Sequence, residues 1–152
     1  MPGRRCKQSQ QGRVLILKFI QPNQPFKLKL TIMEATLQTK TKEVLDHHLS
    51  AFMEADVDEV LKGFSEESEI LTPQGPVKGL SAIRSFLEEI FKIVPKGSTL
   101  ELKQEIIRDN MAYIVWSGES VFVSIPLGTD TFMIEGDKIL YQTLAAQIIP
   151  KQ

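Results

Sequence analysis

The first regular pattern in the chain is a helical spacing of apolar residues with charged residues between them. From Ala35 to Ala55 this spacing predicts a helix that faces a core with one stripe. Asp56 is placed to cap a second, shorter helix that ends near Gly63. Ser81 is placed to cap a third helix, which ends at Pro95. The apolar positions of these helices are Leu37, Val44, Leu45, Leu49 and Phe52, then Val57, Val60 and Leu61, then Ile83, Phe86, Leu87, Ile90, Phe91 and Val94.

After residue 97 the spacing changes to the alternation that is typical of strands. The predicted strands are 70–72, 100–106, 111–123, 129–134 and 138–149, with turns at 73–76, 109–110, 126–128 and 136–137. Three helices followed by long antiparallel strands indicate an α+β fold. We expect the helices to pack against a curved, mostly antiparallel sheet, which forms a cone with a central pocket.

The start of the chain differs from the rest. Residues 1–13 are basic and polar, residues 14–20 are apolar, and residues 21–25 form a connector that contains proline. A secretion signal has the same basic start and apolar middle, but no small-residue cleavage site follows here. We therefore interpret residues 1–32 as an accessory arm that could add a strand, and residues 33–152 as the pocket domain.

Composition narrows the classes of function. Apolar residues make up 42% of the chain and charged residues 24%, as in ordinary globular proteins. The formal net charge of −1 gives no field that would attract nucleic acid or an anionic membrane. The longest apolar run is interrupted by Lys18 and is too short to span a bilayer. Cys6 is the single cysteine, so no internal disulfide is possible and a cytoplasmic location is expected.

Four local strings carry a further signal. They are Ala55-Asp56-Val57-Asp58-Glu59-Val60; Phe64-Ser65-Glu66-Glu67 with Ile70-Leu71-Thr72-Pro73; Lys78-Gly79-Leu80-Ser81-Ala82-Ile83-Arg84-Ser85-Phe86; and Asp130-Thr131-Phe132 with Gly136-Asp137-Lys138-Ile139. Their order and spacing resemble the nuclear-transport-factor-two-like superfamily, in its SnoaL-like and ketosteroid-isomerase-like branch. The resemblance covers residues 35–149. Because that fold hosts isomerases, cyclases, epoxide hydrolases, dehydratases and non-catalytic binders, the function has to be argued from the site.

His48 is the first candidate for chemistry. It lies on the apolar stripe of the first helix, so its imidazole should point inward, whereas His47 should face solvent. The resemblance places His48 where the ketosteroid isomerases have the tyrosine of their oxyanion hole. A histidine there would stabilise a ligand oxygen by hydrogen bonding. The alternative is a core histidine whose polar atoms are satisfied by a neighbour.

Asp130 is the second candidate. The resemblance places it where those isomerases keep a hydrogen-bonding aspartic acid neutral in an apolar site. Alternation puts Asp130, Phe132 and Ile134 on one face of a strand. The alternative is an ordinary turn aspartate after Gly128. If the pocket interpretation holds, His48 and Asp130 would form a hydrogen-bonded pair that binds one ligand oxygen.

Glu119 is the third candidate. The resemblance places its face of the long strand, with Val115 and Ser117, toward the pocket. Glu119 would then be a buried carboxylate with a raised pKa that acts as a general base. The alternative is a solvated or salt-bridged glutamate at the rim. Ile114 and Trp116 would lie on the outer face of the sheet and mediate a homodimer.

The catalytic groups that the resemblance would supply are missing. Thr72 stands where the isomerases have their aspartate base, and Leu144 stands near the last aspartate of the epoxide hydrolases. Neither Ala146 nor Gln147 can replace the acid of the cyclases. The sequence therefore leaves open whether the protein is an enzyme.

No cofactor is expected. Adjacent helical histidines point about 100° apart and make no metal site, and no phosphate-binding loop is present. The sequence predicts that the pocket binds a small, mostly apolar organic molecule, with proton transfer of an isomerase, cyclase or hydrolase type as one alternative. The other is a non-catalytic ligand-binding or dimeric interaction module. The predicted lining is Phe52, Thr72, Phe86, Val115, Ser117, Phe132, Gln142 and Leu144, with His48, Asp130 and Glu119 as polar groups.

Overall fold

A computed structural model describes the backbone of residues 24–152 and the side chains from residue 26 onward. In this range the elements are α1 (Gln24–Met53), α2 (Val57–Leu61), β1 (Glu69–Thr72), β2 (Gly75–Lys78), α3 (Leu80–Ile93), β3 (Thr99–Arg108), β4 (Met111–Glu119), β5 (Val123–Glu135) and β6 (Lys138–Pro150). The predicted order of helices, short hairpin and long strands is confirmed. The turns at residues 109–110 and 136–137 also lie where the sequence predicts them.

The strands form one curved sheet in the order β2-β1-β6-β5-β4-β3. Strand β1 pairs with β6 in parallel, and the other neighbouring strands pair antiparallel. Helix α1 contacts β3, β4 and β5. The core lies between the helices and the inner face of the sheet, which confirms the α+β class.

Helix α1 has two dissimilar halves. Residues 26–37 are exposed, whereas Thr41, Val44, Leu45, His48 and Ala51 are buried at helical spacing. The Thr41 hydroxyl donates to the Asp109 carbonyl at 2.7 Å and joins the helix to the β3–β4 turn. No helix of the described residues is long and apolar enough to cross a membrane.

The predicted arm overlaps α1. Its last residues, 24–32, are helical and continue into the helix without a break, so a strand is the wrong prediction for that part. The rest of the arm, residues 1–23, lies outside the described residues. The division of the chain into an arm and a pocket domain stays a prediction.

The helix caps agree with the sequence at one position and differ at another. Asp56 caps α2 as predicted, since its carboxylate accepts from the Glu59 amide at 2.9 Å. The predicted Ser81 cap is wrong because α3 already begins at Leu80, with Gly79 as its N-cap. Gly79 has a φ of 81°, a conformation that glycine adopts without strain.

The predicted turn at residues 126–128 is wrong, because the chain turns earlier, between Ser120 and Val123. The Ser120 hydroxyl organises this turn: it accepts from the Phe122 and Val123 amides at 3.0 Å each and donates to the Ile93 carbonyl at 2.6 Å. Pro126 is exposed within β5, where the register to β6 shifts. A residue without an N–H group is tolerated at such an irregularity.

Candidate functional site

A cavity of about 100 Å³ lies between α1, α3 and the inner face of the sheet. Most of its surface is apolar, it is partly open to solvent, and its lining includes the half-exposed Ile148. Among the described residues its polar side chains are those of His48, Ser98, Thr99, Asp130 and Gln142. The cavity therefore combines an apolar wall with a small set of polar groups, which is the usual composition of a small-molecule site.

Asp130 lies on β5 and is only 4% exposed. Together with Trp116 and Gln142 it forms the part of the cavity wall that we call the polar end. Trp116 Nε1–H donates to its Oδ2 at 2.6 Å, and Gln142 Nε2–H donates to its Oδ1 at 2.7 Å. Burial raises the pKa of Asp130 to about 6, although both hydrogen bonds act in the opposite direction. Asp130 is therefore a buried, hydrogen-bonded carboxyl group whose pKa lies well above that of an ordinary aspartate.

The register of the sheet brings these partners together. Asp130 pairs with Ile114 on β4 and with Leu144 on β6. Trp116 and Gln142 lie two positions along those strands, so their side chains share the inner face with Asp130. All three side chains meet because they are cross-strand neighbours on the same face of the sheet.

Gly128 makes room for the Trp116 indole. It is the direct cross-strand neighbour of Trp116, and a Cβ atom added to it would lie 2.3 Å from the indole Cε2. Real Cβ atoms do not approach other atoms so closely, so any larger residue would push the ring away from Asp130. Gly128 thus sits in the middle of a strand for reasons of packing, and not in a turn.

His48 lies on the helix side of the cavity. Its ring centroid is 5.2 Å from that of Phe132, 5.7 Å from Phe64 and 6.5 Å from Phe52. The Nδ1 atom is buried and has no hydrogen-bond partner among the described residues. Burial, with a smaller contribution from the charge of His47, lowers the pKa of His48 to about 4. The imidazole is therefore neutral at pH 7.

His48 and Asp130 line the same cavity, but the predicted hydrogen-bonded pair is not formed in the described structure. Both oxygens of Asp130 accept from other side chains, and the surroundings of His48 are aromatic. The sequence argument was wrong on this contact because it did not identify the donors on β4 and β6.

Glu119 lies outside the cavity and is exposed. Its carboxylate accepts from Ser124 Oγ at 2.5 Å and pairs with Lys151 Nζ at 2.7 Å. These two contacts lower the pKa of Glu119, so the predicted raised pKa is wrong. The structure instead agrees with the alternative of a salt-bridged glutamate.

The faces of β4 are opposite to the prediction. Ile114 and Trp116 are buried and line the cavity, whereas Val115 and Ser117 lie on the outer face. The alternation on β4 separates two sets of residues correctly. Both sets contain large apolar side chains, however, so the pattern does not say which set faces inward. The prediction that Ile114 and Trp116 mediate a dimer is therefore wrong.

Five of the eight predicted lining residues lie on the cavity wall: Phe52, Phe86, Phe132, Gln142 and Leu144. Thr72 does not, since its hydroxyl donates to the Gly75 carbonyl at 2.9 Å within the β1–β2 hairpin. Val115 and Ser117 do not, because they point outward. The resemblance would place a catalytic acid or base at or near Leu144, Ala146 and Gln147. Leu144 and Ala146 line the cavity, and Gln147 does not.

Sequence reasoning missed the role of Trp116 and predicted Gln142 only as lining. The contact of the Trp116 indole with Gly128 depends on the register of β4 and β5, which the spacing of residues along the chain does not give. No group of three or more His, Cys, Asp or Glu side chains in residues 24–152 is arranged to hold a metal ion.

No family model matches the sequence, and no curated protein matches it. Solved structures do match. A SnoaL-like protein of unknown function from Burkholderia thailandensis E264 gives a TM-score of 0.60 at 14% identity, covering 72% of this chain and 96% of that chain. A protein from Kribbella flavida DSM 17836, provisionally named a ketosteroid isomerase, gives 0.61 at 12% identity, covering 72% and 78%. TerC, co-crystallised with polyporic acid, gives 0.57 at 14% identity, covering 71% and 92%.

The chain has the nuclear-transport-factor-two-like fold of these solved structures. This agrees with the resemblance in the sequence. At 12–14% identity the likeness establishes the shared fold, and the chemistry has to come from the side chains in the cavity.

Proposed function

We propose that this protein binds a small, mostly apolar organic molecule in the cavity and that Asp130 transfers a proton to or from it. The observation that carries the proposal is a buried carboxylate on the wall of a mostly apolar cavity. Buried carboxylates with raised pKa values are concentrated in functional sites. The names of two structural neighbours agree with an organic ligand, since one is provisionally a ketosteroid isomerase and TerC was co-crystallised with polyporic acid.

The proposed chemistry starts from the ionised form of Asp130. With a pKa of about 6, the carboxylate is mostly ionised at neutral pH and is a stronger base than an ordinary aspartate. It takes the proton from the carbon beside a carbonyl group, and the electron pair of that C–H bond forms an enolate. The protonated Asp130 then returns the proton to a carbon of the ligand. Neutral His48 has one N–H group, which donates to the ligand oxygen.

Binding without turnover is the second candidate function. It is favoured by the two donors that already hold the Asp130 oxygens, and by the missing family bases at Thr72, Leu144 and Ala146. In that case the same polar groups orient a ligand and move no proton. The two candidates differ only in whether the proton on the ligand exchanges.

The binding test is thermal unfolding with two bicyclic compounds, 2-naphthol and 2-tetralone. A ligand present at a hundred times its Kd should stabilise the fold by about 2.7 kcal/mol. Asp130→Asn should weaken the shift, whereas Asp137→Asn should not, because Asp137 is exposed in the β5–β6 turn. If neither compound shifts Tm, the proposed ligand class is wrong.

The catalytic test is deuterium exchange into 2-tetralone in D₂O. We expect the protein to accelerate exchange at the carbon beside the carbonyl, and we expect Asp130→Asn to abolish the acceleration while Asp137→Asn retains it. Binding without accelerated exchange in the wild-type protein would leave the non-catalytic candidate as the function.

We also propose a homodimer through the outer face of the sheet, with residues other than those the sequence suggested. Met111, Met133 and Tyr141 adjoin on three neighbouring strands and are each about 40% exposed. The outer face of β4, β5 and β6 carries Glu119 and Glu135 at its ends, and its central part is uncharged: Met111, Tyr113, Val115, Leu127, Thr129, Thr131, Met133, Tyr141, Thr143, Ala145 and Gln147. A sheet face with an uncharged, partly apolar centre favours association.

Light scattering coupled to size-exclusion chromatography tests the dimer. Met133→Lys should produce a monomer, because it places a charge in the centre of the face. Val121→Lys is the matched control, since Val121 is 76% exposed in the β4–β5 turn. A monomeric wild-type protein would contradict the proposal.

A further inference from the structure

We propose that the head group of the ligand donates hydrogen bonds to Asp130 and carries no negative charge, so that it is a hydroxyl or a protonated amine. This inference rests on the proposed binding function and names the class of ligand for the same cavity. Two features of the polar end carry it: the free acceptor sites of Asp130 and Gln142, and the absence of Lys and Arg from the described cavity lining.

The unused capacity at Asp130 is acceptor capacity. An ionised carboxylate has about four lone-pair sites, and Trp116 and Gln142 occupy one on each oxygen. Trp116 has a single side-chain donor, which this contact uses. A ligand group that approaches Asp130 therefore meets free lone pairs, and a donor satisfies them.

Gln142 adds to this acceptor character. Its amide nitrogen is turned toward Asp130, and its Oε1 atom is buried without a partner among the described residues. An amide oxygen without a donor leaves the negative end of its dipole uncompensated. The negative potential at this end of the cavity is therefore larger than the carboxylate alone would give.

No positive charge offsets it in the described part of the cavity. The lining contains no Lys or Arg side chain, and His48, which faces the cavity from α1, is neutral at pH 7. A carboxylate ligand would bring a second negative charge into an apolar space without a counter-ion, which is strongly unfavourable. A hydroxyl adds no charge, and an ammonium group neutralises Asp130.

The test compares three ligands that share one ring: benzyl alcohol, benzylamine and benzoate. Single-ring ligands are chosen because the cavity, at about 100 Å³ and partly open to solvent, is smaller than the apolar cavity of about 150 Å³ that admits benzene in another protein. The readout is the indole N–H resonance of Trp116, because Trp116 is the single tryptophan and donates to Asp130. At pH 8 we expect both the alcohol and the amine to bind at least about tenfold more tightly than benzoate.

Two further measurements test whether the charge of Asp130 causes the preference over benzoate. Asp130→Asn should reduce the preference over benzoate to within about threefold, whereas the exposed Asp137→Asn should keep the wild-type ranking. If Asp130→Asn does not fold, the wild-type protein at pH 5 gives the same comparison. Asp130 is then mostly protonated while benzoate remains mostly ionised, so the preference should shrink.

The outcomes separate the inference from the proposed function. Benzoate that binds as tightly as the alcohol or the amine at pH 8 overturns the inference and leaves the binding function intact. The inference is also wrong if 2-tetralone binds and neither the alcohol nor the amine does. If none of the ligands perturbs Trp116 or Tm, the proposed function itself fails and the inference fails with it.

Discussion

The cavity has a sheet wall and a helix wall, and each wall carries one buried ionisable side chain. Asp130 on the sheet wall and His48 on the helix wall are equally buried, each at 4% exposure. Both Asp130 oxygens have donors, whereas His48 Nδ1 has no partner among the described residues. Equal burial has therefore produced two different environments, and the difference comes from the neighbours that each kind of element supplies.

A sheet and a helix supply neighbours in different ways. The sheet places Trp116 and Gln142 on either side of Asp130, because adjacent strands run in register. The helix places Phe52 one turn after His48, and the nearest ring from the sheet is Phe132. The sheet wall can therefore hold a charge, and the helix wall holds a neutral imidazole in an aromatic pocket.

The two groups affect stability with opposite signs as pH changes. The pKa of Asp130 is raised from 3.8 to about 6, so its stabilising contribution is complete below about pH 4 and is lost as pH rises through 6. The pKa of His48 is lowered from 6.5 to about 4, so its contribution is complete above pH 6.5 and is lost as pH falls toward 4. Between pH 4 and 6.5 the two slopes oppose each other.

The largest effect should come from Gly128→Ala, which breaks the sheet wall. The new Cβ would lie 2.3 Å from the Trp116 ring, so the indole must move away from Asp130. We expect a loss of about 3 kcal/mol in the free energy of unfolding, the upper end for overpacking, and a shifted indole N–H resonance. Chemical denaturation and NMR measure both.

Gly63→Ala is the control for that experiment. The Cβ added to Gly63 would meet its nearest atom, the Val60 carbonyl oxygen, at 3.4 Å, which is an ordinary contact. Its cost should stay below about 1 kcal/mol. Equal costs for the two glycines would show that the indole position does not depend on Gly128.

Asp130→Asn should be the next largest effect, and it should increase stability. At pH 8 the ionised Asp130 opposes folding, because a rise of its pKa from 3.8 to about 6 corresponds to about 3 kcal/mol. Asparagine has a single acceptor oxygen, so one of the two donors loses its partner; this offsets about 1 kcal/mol and leaves a gain of about 2 kcal/mol. The gain should disappear below pH 4, as measured by urea unfolding across the pH range. A loss of stability at pH 8 would mean that the two donors outweigh the burial.

The contrast between the walls could be predicted from the sequence only in part. The spacing of apolar residues predicts α1 from residue 35 onward, α3 and their inward stripes, because a helix repeats every 3.6 residues and its buried side is continuous. The same reasoning identifies His48 as inward and His47 as outward. His47 is indeed exposed and contacts Glu59 at 2.7 Å.

The sheet wall was harder to predict because its contacts depend on register. Alternation defines two faces of β4, but both faces carry apolar residues, and the choice between them rests on Gly128 in another strand. The length of β5 depends on the hydroxyl of Ser120, a contact between distant parts of the chain. Local pattern carries no information on such contacts, and the resemblance, which supplied the choice of face, placed Trp116 outside and Glu119 inside.

His48→Leu tests the helix wall and should have a smaller effect at pH 7. Replacing an imidazole whose Nδ1 lacks a partner with an apolar side chain should be neutral or should stabilise by about 1 kcal/mol. The stability advantage over wild type should grow as pH falls from 6.5 to about 4. In wild type the unfolded chain takes up a proton at His48 in this range and the folded protein does not, whereas leucine does not titrate. His47→Leu, on the exposed side of the same helix, should not change this acid dependence. If it does, the acid sensitivity does not come from burial of His48.

Glu119→Gln should have the smallest effect and sharpens the boundary of the site. Glu119 is exposed, and its contact with Lys151 is a surface ion pair, which typically contributes little. We expect Tm to equal that of wild type within error, and the affinity for 2-naphthol to be unchanged, because the carboxylate lies outside the cavity wall. Asp130→Asn removes a negative charge in the same way and should weaken binding. If Glu119→Gln instead weakened 2-naphthol binding as much as Asp130→Asn does, the polar end of the site would extend to the rim. The sheet wall would then not be the part of the cavity that recognises the ligand.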